Sequence, residues 1–210
     1  QAGRDVAVYN RTRARAEPLA AEGAALVDSP AKLATRDVVF TMVTGDEALL
    51  EVTTGPDGCL EAEEAAPELL VDSSTVSSSA SEEVRRRALE RGCELVAAPV
   101  SGNPDAVRAG NLAVVASGSA EALRRARPHL ELFGASVTDV GEGDAARFVK
   151  ICHNLILITL AASMSEVLVL AERAGVSRAA AFFLLPELSG GTIQVFVQKK
   201  ELASEAPKAK

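Results

Sequence analysis

The chain has 210 residues, 48% of them hydrophobic and 24% charged, with a formal net charge of −7. That is a globular balance, long enough for one large domain or two small ones, and it excludes a disordered or collagen-like chain. The acidic surplus and an aromatic content of 3% without tryptophan exclude a general nucleic-acid binder, which needs cations for phosphates and rings for bases.

Residues 5–9 read as a short strand, Val6 and Val8 being β-branched. Thr12 is placed to cap a helix running to residue 22, although Pro18 sits inside it. Residues 37–43 (Asp-Val-Val-Phe-Thr-Met-Val) are a continuous apolar strand, of the kind buried on both faces of a parallel sheet. A helix over 46–52 and a turn at Gly55-Pro-Asp-Gly58 follow, then a strand over 69–72. Ser79-Ala-Ser-Glu82 has the pattern of a capping box and opens a charged helix that Gly92 stops. A strand over 94–100 ends in a Pro-Val-Ser-Gly loop. Strands over 112–116 and 136–140 flank a helix over 120–132. This alternation predicts a parallel sheet with helices on both faces.

From residue 144 to 174 no turn signal appears, so one long helix is expected, roughly 45 Å at 1.5 Å per residue. Gly175 ends it, and Ser177 caps another helix to about residue 185. The domain boundary falls near 141–143, giving a strand–helix domain over 1–141 and a helical one over 142–210; residues 204–210 read as a frayed tail. The longest uncharged apolar run, 151–165, contains His153 and Asn154 and is shorter than the ~20 residues that span a bilayer. It reads as a buried helix and no membrane partner is expected. Cys59, Cys93 and Cys152 are isolated and read as small apolar filler in a reducing, cytoplasmic setting. With only His129 and His153 beside them, no metal cluster is expected.

Four stretches carry chemistry. Asn10, Arg11 and Thr12 follow the strand over 5–9; in a dinucleotide-binding sheet an Arg at the end of the second strand accommodates the 2′-phosphate of NADP, where an acid would read the ribose of NAD. The same residues also make an ordinary turn and cap. Residues 71–77 (Val-Asp-Ser-Ser-Thr-Val-Ser) cluster hydroxyls at a strand end, Thr75 among them, where they donate to a ligand or merely cap the next helix. In residues 98–102 (Ala-Pro-Val-Ser-Gly) a strand end delivers Ser101 and Gly102 into a loop whose N–H and hydroxyl donors suit a carboxylate, or a plain turn. Lys150 and Asn154 lie four apart, on one face of the long helix. A lysine there either snorkels to water or, partly buried, has the lowered pKa that suits proton transfer. His153 points elsewhere and reads as packing.

Together these stretches resemble the β-hydroxyacid dehydrogenase family: Asn-Arg-Thr at 10–12, Val-Asp-Ser-Ser-Thr at 71–75, Ala-Pro-Val-Ser-Gly at 98–102 with Ala-Gly-Asn-Leu at 109–112, and the run from Gly141 to Asn154, in order and at the family's spacings. The resemblance implies an α/β Rossmann-type parallel sheet followed by a long helix and a partial all-helical domain that pairs subunits into a dimer or tetramer. It implies NADP, or NAD, as cofactor and a small anionic 3-hydroxy acid or its semialdehyde as substrate. Lys150 is the implied general acid/base, Ser101 and Gly102 hold the carboxylate, and Asn154 orients the substrate. Asn10, Arg11 and Thr12 face the adenosine end of the cofactor, Val43 and Thr44 its middle, and Thr75 the nicotinamide.

The chain also departs from the family's pattern. The family's first strand and Gly-rich phosphate loop are missing, so the chain reads as truncated at both ends, with Lys200-Glu201 a poor echo of a later Lys-Asp. Val43-Thr44 stands where Leu-Pro is usual, Asn103 where Gly is common, and His153 where the first of two Asn is common. Two alternatives follow: a folded, dimerising module that binds no cofactor, and an imine-reducing relative, against which Lys150 speaks.

Overall fold

A computed structural model of the chain describes residues 3–182. The chain divides into two compact units, Gln1–Cys152 and His153–Lys210.

The first unit is built on short strands. β1 (Ala7–Val8) pairs in parallel with β2 (Ala25–Leu26); β3 (Val38–Thr41), β4 (Leu69–Asp72) and β5 (Glu94–Ala97) form a second parallel sheet with β4 in the middle. A third sheet contains β6 (Val100–Ser101), β7 (Leu112–Ala116) and β8 (Gly134–Asp139). β7 and β8 run in parallel, whereas β6 is antiparallel to β7, an exception to the expected parallel sheet. An isolated bridge between Ala97 and Ser117 joins the second and third sheets.

The period-2 alternation of strands sorts the core into two layers. Leu69, Val71 and Val96 point to one side, where they pack with Val114 of β7 and Ala122, Ala126 and Leu130 of helix α5 (Ala120–Leu130). Leu70 and Leu95 point to the other, against Leu49 of α2 (Asp46–Thr53) and Val84 and Ala88 of α3 (Ser78–Glu90). Helices thus cover both faces of β4, which is why Leu-Leu-Val-Asp is buried at every position. Each buried leucine or valine there contributes about 1.5–3 kcal/mol.

Several boundaries differ from the sequence expectation, each for a local reason. The helix expected over 12–22 is a 3-10 turn, Arg13–Arg15, followed by α1 (Glu17–Ala21) with Pro18 in its first turn. Proline there sacrifices no helical hydrogen bond, whereas a helix begun at Thr12 would lose one and clash with its ring. Thr12 caps nothing; its N–H donates to Asn10 Oδ1 at 2.9 Å. The cap of α3 is Ser77, which accepts from the Ala80 N–H at 3.2 Å, and not Ser79. Pro99, without an N–H, splits the strand expected over 94–100 into β5 and β6. Residues 104–108 form an unexpected short helix, α4 (Pro104–Arg108), whose cap Asn103 accepts from the Ala106 N–H at 2.9 Å. β3 buries one face only: Val39 is 4% exposed but Met42, just beyond it, is 72%. It is an edge strand among the described residues.

Helix α6 (Ala145–Arg173) is 29 residues long and ends at Gly175 with φ +84°, where the left-handed turn requires glycine. Ser177 then accepts from the Ala180 N–H at 3.2 Å and caps a further helix; its expected end near 185, Lys200-Glu201 and the tail lie outside the described residues. The expectation of a buried helix fails. Leu155, Ile156, Ile158 and Leu170 of α6 are at least 60% exposed, and only Ala146 and Arg147 are buried. By length and composition α6 also matches a membrane-crossing helix, a property that core helices of soluble proteins share. His153 is likewise exposed, with Nδ1 3.4 Å from Asn154 Oδ1.

Candidate active site

The carboxyl end of β4 is a polar hub sunk into the protein. Asp72 is fully buried, at 0% exposure. One carboxylate oxygen, Oδ1, accepts from Thr41 Oγ1 (2.7 Å), Ser74 Oγ (2.6 Å) and the Ser74 N–H (3.2 Å). The other, Oδ2, receives Nη2 of Arg147 at 2.7 Å. The Arg147 side chain is 3% exposed and also donates to Ser81 Oγ (2.8 Å) and the Ser74 carbonyl (3.0 Å). Ser74 Oγ in turn accepts from the Val43 N–H at 2.9 Å, so the loop after β3 is fastened to the same hub. A buried charge is tolerable only when paired and hydrogen-bonded on its remaining sites, and both members of this pair are.

Sequence reasoning passed over Asp72 and Arg147. The available signal was an acid closing an otherwise apolar strand, and an arginine one turn before Lys150 in an apolar stretch. In the hydroxyl cluster at 73–77, Ser73 and Ser74 are buried and Ser77, though exposed, caps α3 and bonds Asp46; Thr75 is the other exposed hydroxyl and fits a ligand-facing role.

The start of α6 is tied down from other directions as well. Ser117 Oγ donates to the Gly143 carbonyl (2.8 Å) and accepts from the Ala146 N–H (3.0 Å). Asp144 Oδ1 receives Ser81 Oγ and Arg85 Nη2, both at 2.8 Å. Lys150 follows, half-buried, and its Nζ donates to Ser101 Oγ at 3.0 Å. Burial holds the Lys150 ammonium below the ordinary lysine range. Ser101 ends β6, and Gly102 follows with φ +145°. A Cβ on Gly102 would lie 2.4 Å from Leu112 Cδ2, so both the backbone angle and the packing favour glycine on this path. The structure therefore brings Lys150, Ser101 and Gly102 together, 49 residues apart across the lysine–serine contact. Asn154 belongs to the second unit, half-buried on α6 beside His153.

A cavity of about 270 Å³ opens between the ends of β1 and β3, lined by Asn10, Arg11, Thr12, Val43 and Thr44 among others. Five of the six expected cofactor residues thus share one cavity; Thr75 does not line it, nor do Ser101 and Lys150. Arg11 is exposed and has no ion-pair partner among the described residues, whereas Arg13 pairs with Asp28 at 2.6 Å. A free guanidinium with hydroxyl and amide neighbours at the end of a parallel strand fits a phosphate-bearing dinucleotide. Cys59 and Cys93 are buried, and burial pushes both thiols up to about 12, as expected of packing residues and not nucleophiles. Cys152 is exposed, which corrects its reading as filler. No metal-ligand cluster exists among the described residues.

Comparison with known proteins shows the family. A family described as the NAD binding domain of 6-phosphogluconate dehydrogenase matches residues 1–141. An uncharacterized oxidoreductase of Bacillus subtilis, YfjR, is 36% identical over 85% of this chain and 63% of its own length. The 3-hydroxyisobutyrate dehydrogenase of Pseudomonas aeruginosa is 33% identical over 91% of this chain and 64% of its own. The solved 3-hydroxyisobutyrate dehydrogenase of Mycobacterium tuberculosis with L-serine superposes with a TM-score of 0.78 at 33% identity, over 93% of this chain and 65% of that one. The chain spans somewhat less than two thirds of these relatives. The match over residues 1–141 and the similarity to these relatives lead to one family: this chain belongs to the β-hydroxyacid dehydrogenases, and residues 1–141 match an NAD-binding domain.

Proposed function

We propose that the protein is an NAD(P)-dependent oxidoreductase that interconverts a small 3-hydroxy acid and its semialdehyde, with NADP preferred. The observation that carries this reading is Lys150 Nζ, lowered in pKa by burial, 3.0 Å from Ser101 Oγ. In oxidation the neutral Lys150 amine takes the substrate hydroxyl proton as the carbinol C–H bond breaks; in reduction the ammonium returns that proton to the nascent alkoxide. Ser101 Oγ and the backbone at Gly102 bind the substrate carboxylate, and Asn154 orients the reacting carbon. Asn10, Arg11, Thr12, Val43 and Thr44 hold the dinucleotide, with Thr75 at its nicotinamide end. The nicotinamide supplies the hydride chemistry, and the protein's part is alignment and the proton.

The names of relatives support the substrate class: 3-hydroxyisobutyrate, and L-serine bound to the mycobacterial enzyme, are both small acids with a 3-hydroxyl. The exposed apolar side chains of α6 support that helix as a surface that pairs subunits. The test is Lys150→Ala with 3-hydroxyisobutyrate and NADP as substrates. Turnover falls by roughly two orders of magnitude or more while NADPH affinity is kept; an unchanged turnover number refutes the assignment.

A further inference from the structure

The proton-transfer reading gives no task to Arg147, yet no other cation of the first unit is buried as deeply with its partner: arginine and Asp72 are 3% and 0% exposed. Arg147 is one helical turn before Lys150, so the two share a face of α6. Its three hydrogen bonds go to three different places: Ser81 on α3, the carbonyl of Ser74 after β4, and Asp72 at the end of β4. A planar guanidinium held at three points permits one direction of approach. The contacts of Asp144 and Ser117 hold the start of α6 against α3 and β7. Among the described hydrogen bonds of that first turn, Arg147 supplies those that reach the end of β4.

We propose that Arg147 is a positioning residue: by tying the first turn of α6 to the carboxyl end of β4, it sets the rotation of the helix that holds Lys150 against Ser101. The leverage is geometric. A lysine tip lies roughly 6 Å from a helix axis, so a rotation of about 10° moves it by about 1 Å. That displacement disrupts a 3.0 Å hydrogen bond and, in a reacting geometry, costs up to about 100-fold in rate. The hub extends the coupling further. Asp72 also holds Ser74, and Ser74 holds the Val43 N–H, so one carboxylate ties together the loop floor of the cavity and the helix of the lysine.

The inference rests on Lys150 as the proton-transfer group, and the experiment separates the two. Arg147→Met alone would strand the buried Asp72 charge, so it is combined with Asp72→Asn, which keeps acceptors for Thr41 and Ser74. Two quantities are read in the intact protein. One is the pH midpoint of Lys150 acetylation by acetic anhydride, followed by mass spectrometry with the exposed Lys32 as reagent reference. The other is the division of any loss between kcat and KM. Ser101, on β6, is the side chain that the Lys150 ammonium is seen to touch, and burial lowers its pKa. Release of the helix therefore raises the acetylation midpoint, by roughly half a unit or more. With it kcat falls roughly 10–100-fold while KM for NADPH stays within about twofold. A wild-type value of either the midpoint or kcat overturns the proposal. If the double variant lacks native circular dichroism, Arg147→Lys, which keeps the charge but loses the fork, is judged by the same two readings. Turnover surviving in Lys150→Ala would instead refute the proton-transfer reading itself, whatever the acetylation shows.

Discussion

Gly102→Ala probes the loop proposed to bind the substrate carboxylate, and its cost can be worked from two separate causes. Gly102 has φ +145°, a region that an alanine enters at a cost of about 1–3 kcal/mol. Its new Cβ would also lie 2.4 Å from Leu112 Cδ2 and 3.1 Å from the Ala106 Cβ. A side-chain tip in open space would swing aside, but Leu112 is 4% exposed and packed in the core with Val114 and Leu130. Overpacking of that kind adds about 1–3 kcal/mol. The single substitution therefore destabilises by about 2–6 kcal/mol, measured by urea unfolding followed by circular dichroism. The two causes separate in a double-mutant cycle. In a Leu112→Ala background the 2.4 Å clash is gone while the backbone strain and the milder 3.1 Å contact with Ala106 persist, so the cost of Gly102→Ala falls toward that of the strain alone, about 1–3 kcal/mol. Equal costs in the two backgrounds, or a single-variant cost below about 0.5 kcal/mol, would refute the account of why this position is glycine.

Arg11 is exposed and has no ion-pair partner among the described residues; if it reads the 2′-phosphate as proposed, NADPH is expected to bind roughly ten- to a hundred-fold more tightly than NADH. Calorimetric titration of both cofactors on the wild type and on Arg11→Ala checks this: the substitution erases the preference, and a ratio it leaves untouched counts against Arg11 as the phosphate reader. Burial lowers the Lys150 pKa, so the neutral amine forms at lower pH than in an ordinary lysine, and the proposed mechanism fixes the sign of the pH dependence. Oxidation, which needs the amine, accelerates as pH rises through that lowered pKa; reduction, which needs the ammonium, slows over the same interval. Pre-steady-state pH profiles in both directions test the sign, and parallel profiles would exclude Lys150 as the shared acid and base.

Much of the fold was legible in the chain because it is encoded locally. The strands Leu69–Asp72 and Leu112–Ala116 stand where their apolar runs begin and end. α6 follows from an uninterrupted helical stretch closed by Gly175. The α/β class was likewise readable, since spacing along a strand or helix determines which end or face a residue occupies; residues 43–44 were singled out by the family resemblance alone, and the structure shows that they line one cavity with residues 10–12. Competing local signals were less decisive. Two serines could cap α3, and Ser77 is chosen with a distant partner, Asp46, whose carboxylate accepts from both the Ser77 N–H (2.8 Å) and hydroxyl (2.6 Å).

What tertiary structure alone decided is the set of contacts between residues far apart in the chain. Arg147 meets Asp72 across 75 residues, and Lys150 meets Ser101 across 49. Period and propensity describe how a side chain leaves its own element, and they carry no record of what it meets there. The same limit governs burial. Phe40 and Met42 belong to an apolar run, yet they are exposed on a sheet edge, and Leu155 and Ile158 are exposed on α6. An apolar residue gains by leaving water, but whether it does so depends on a neighbouring surface supplied from elsewhere in the chain, and it is packing in three dimensions that supplies or withholds that surface.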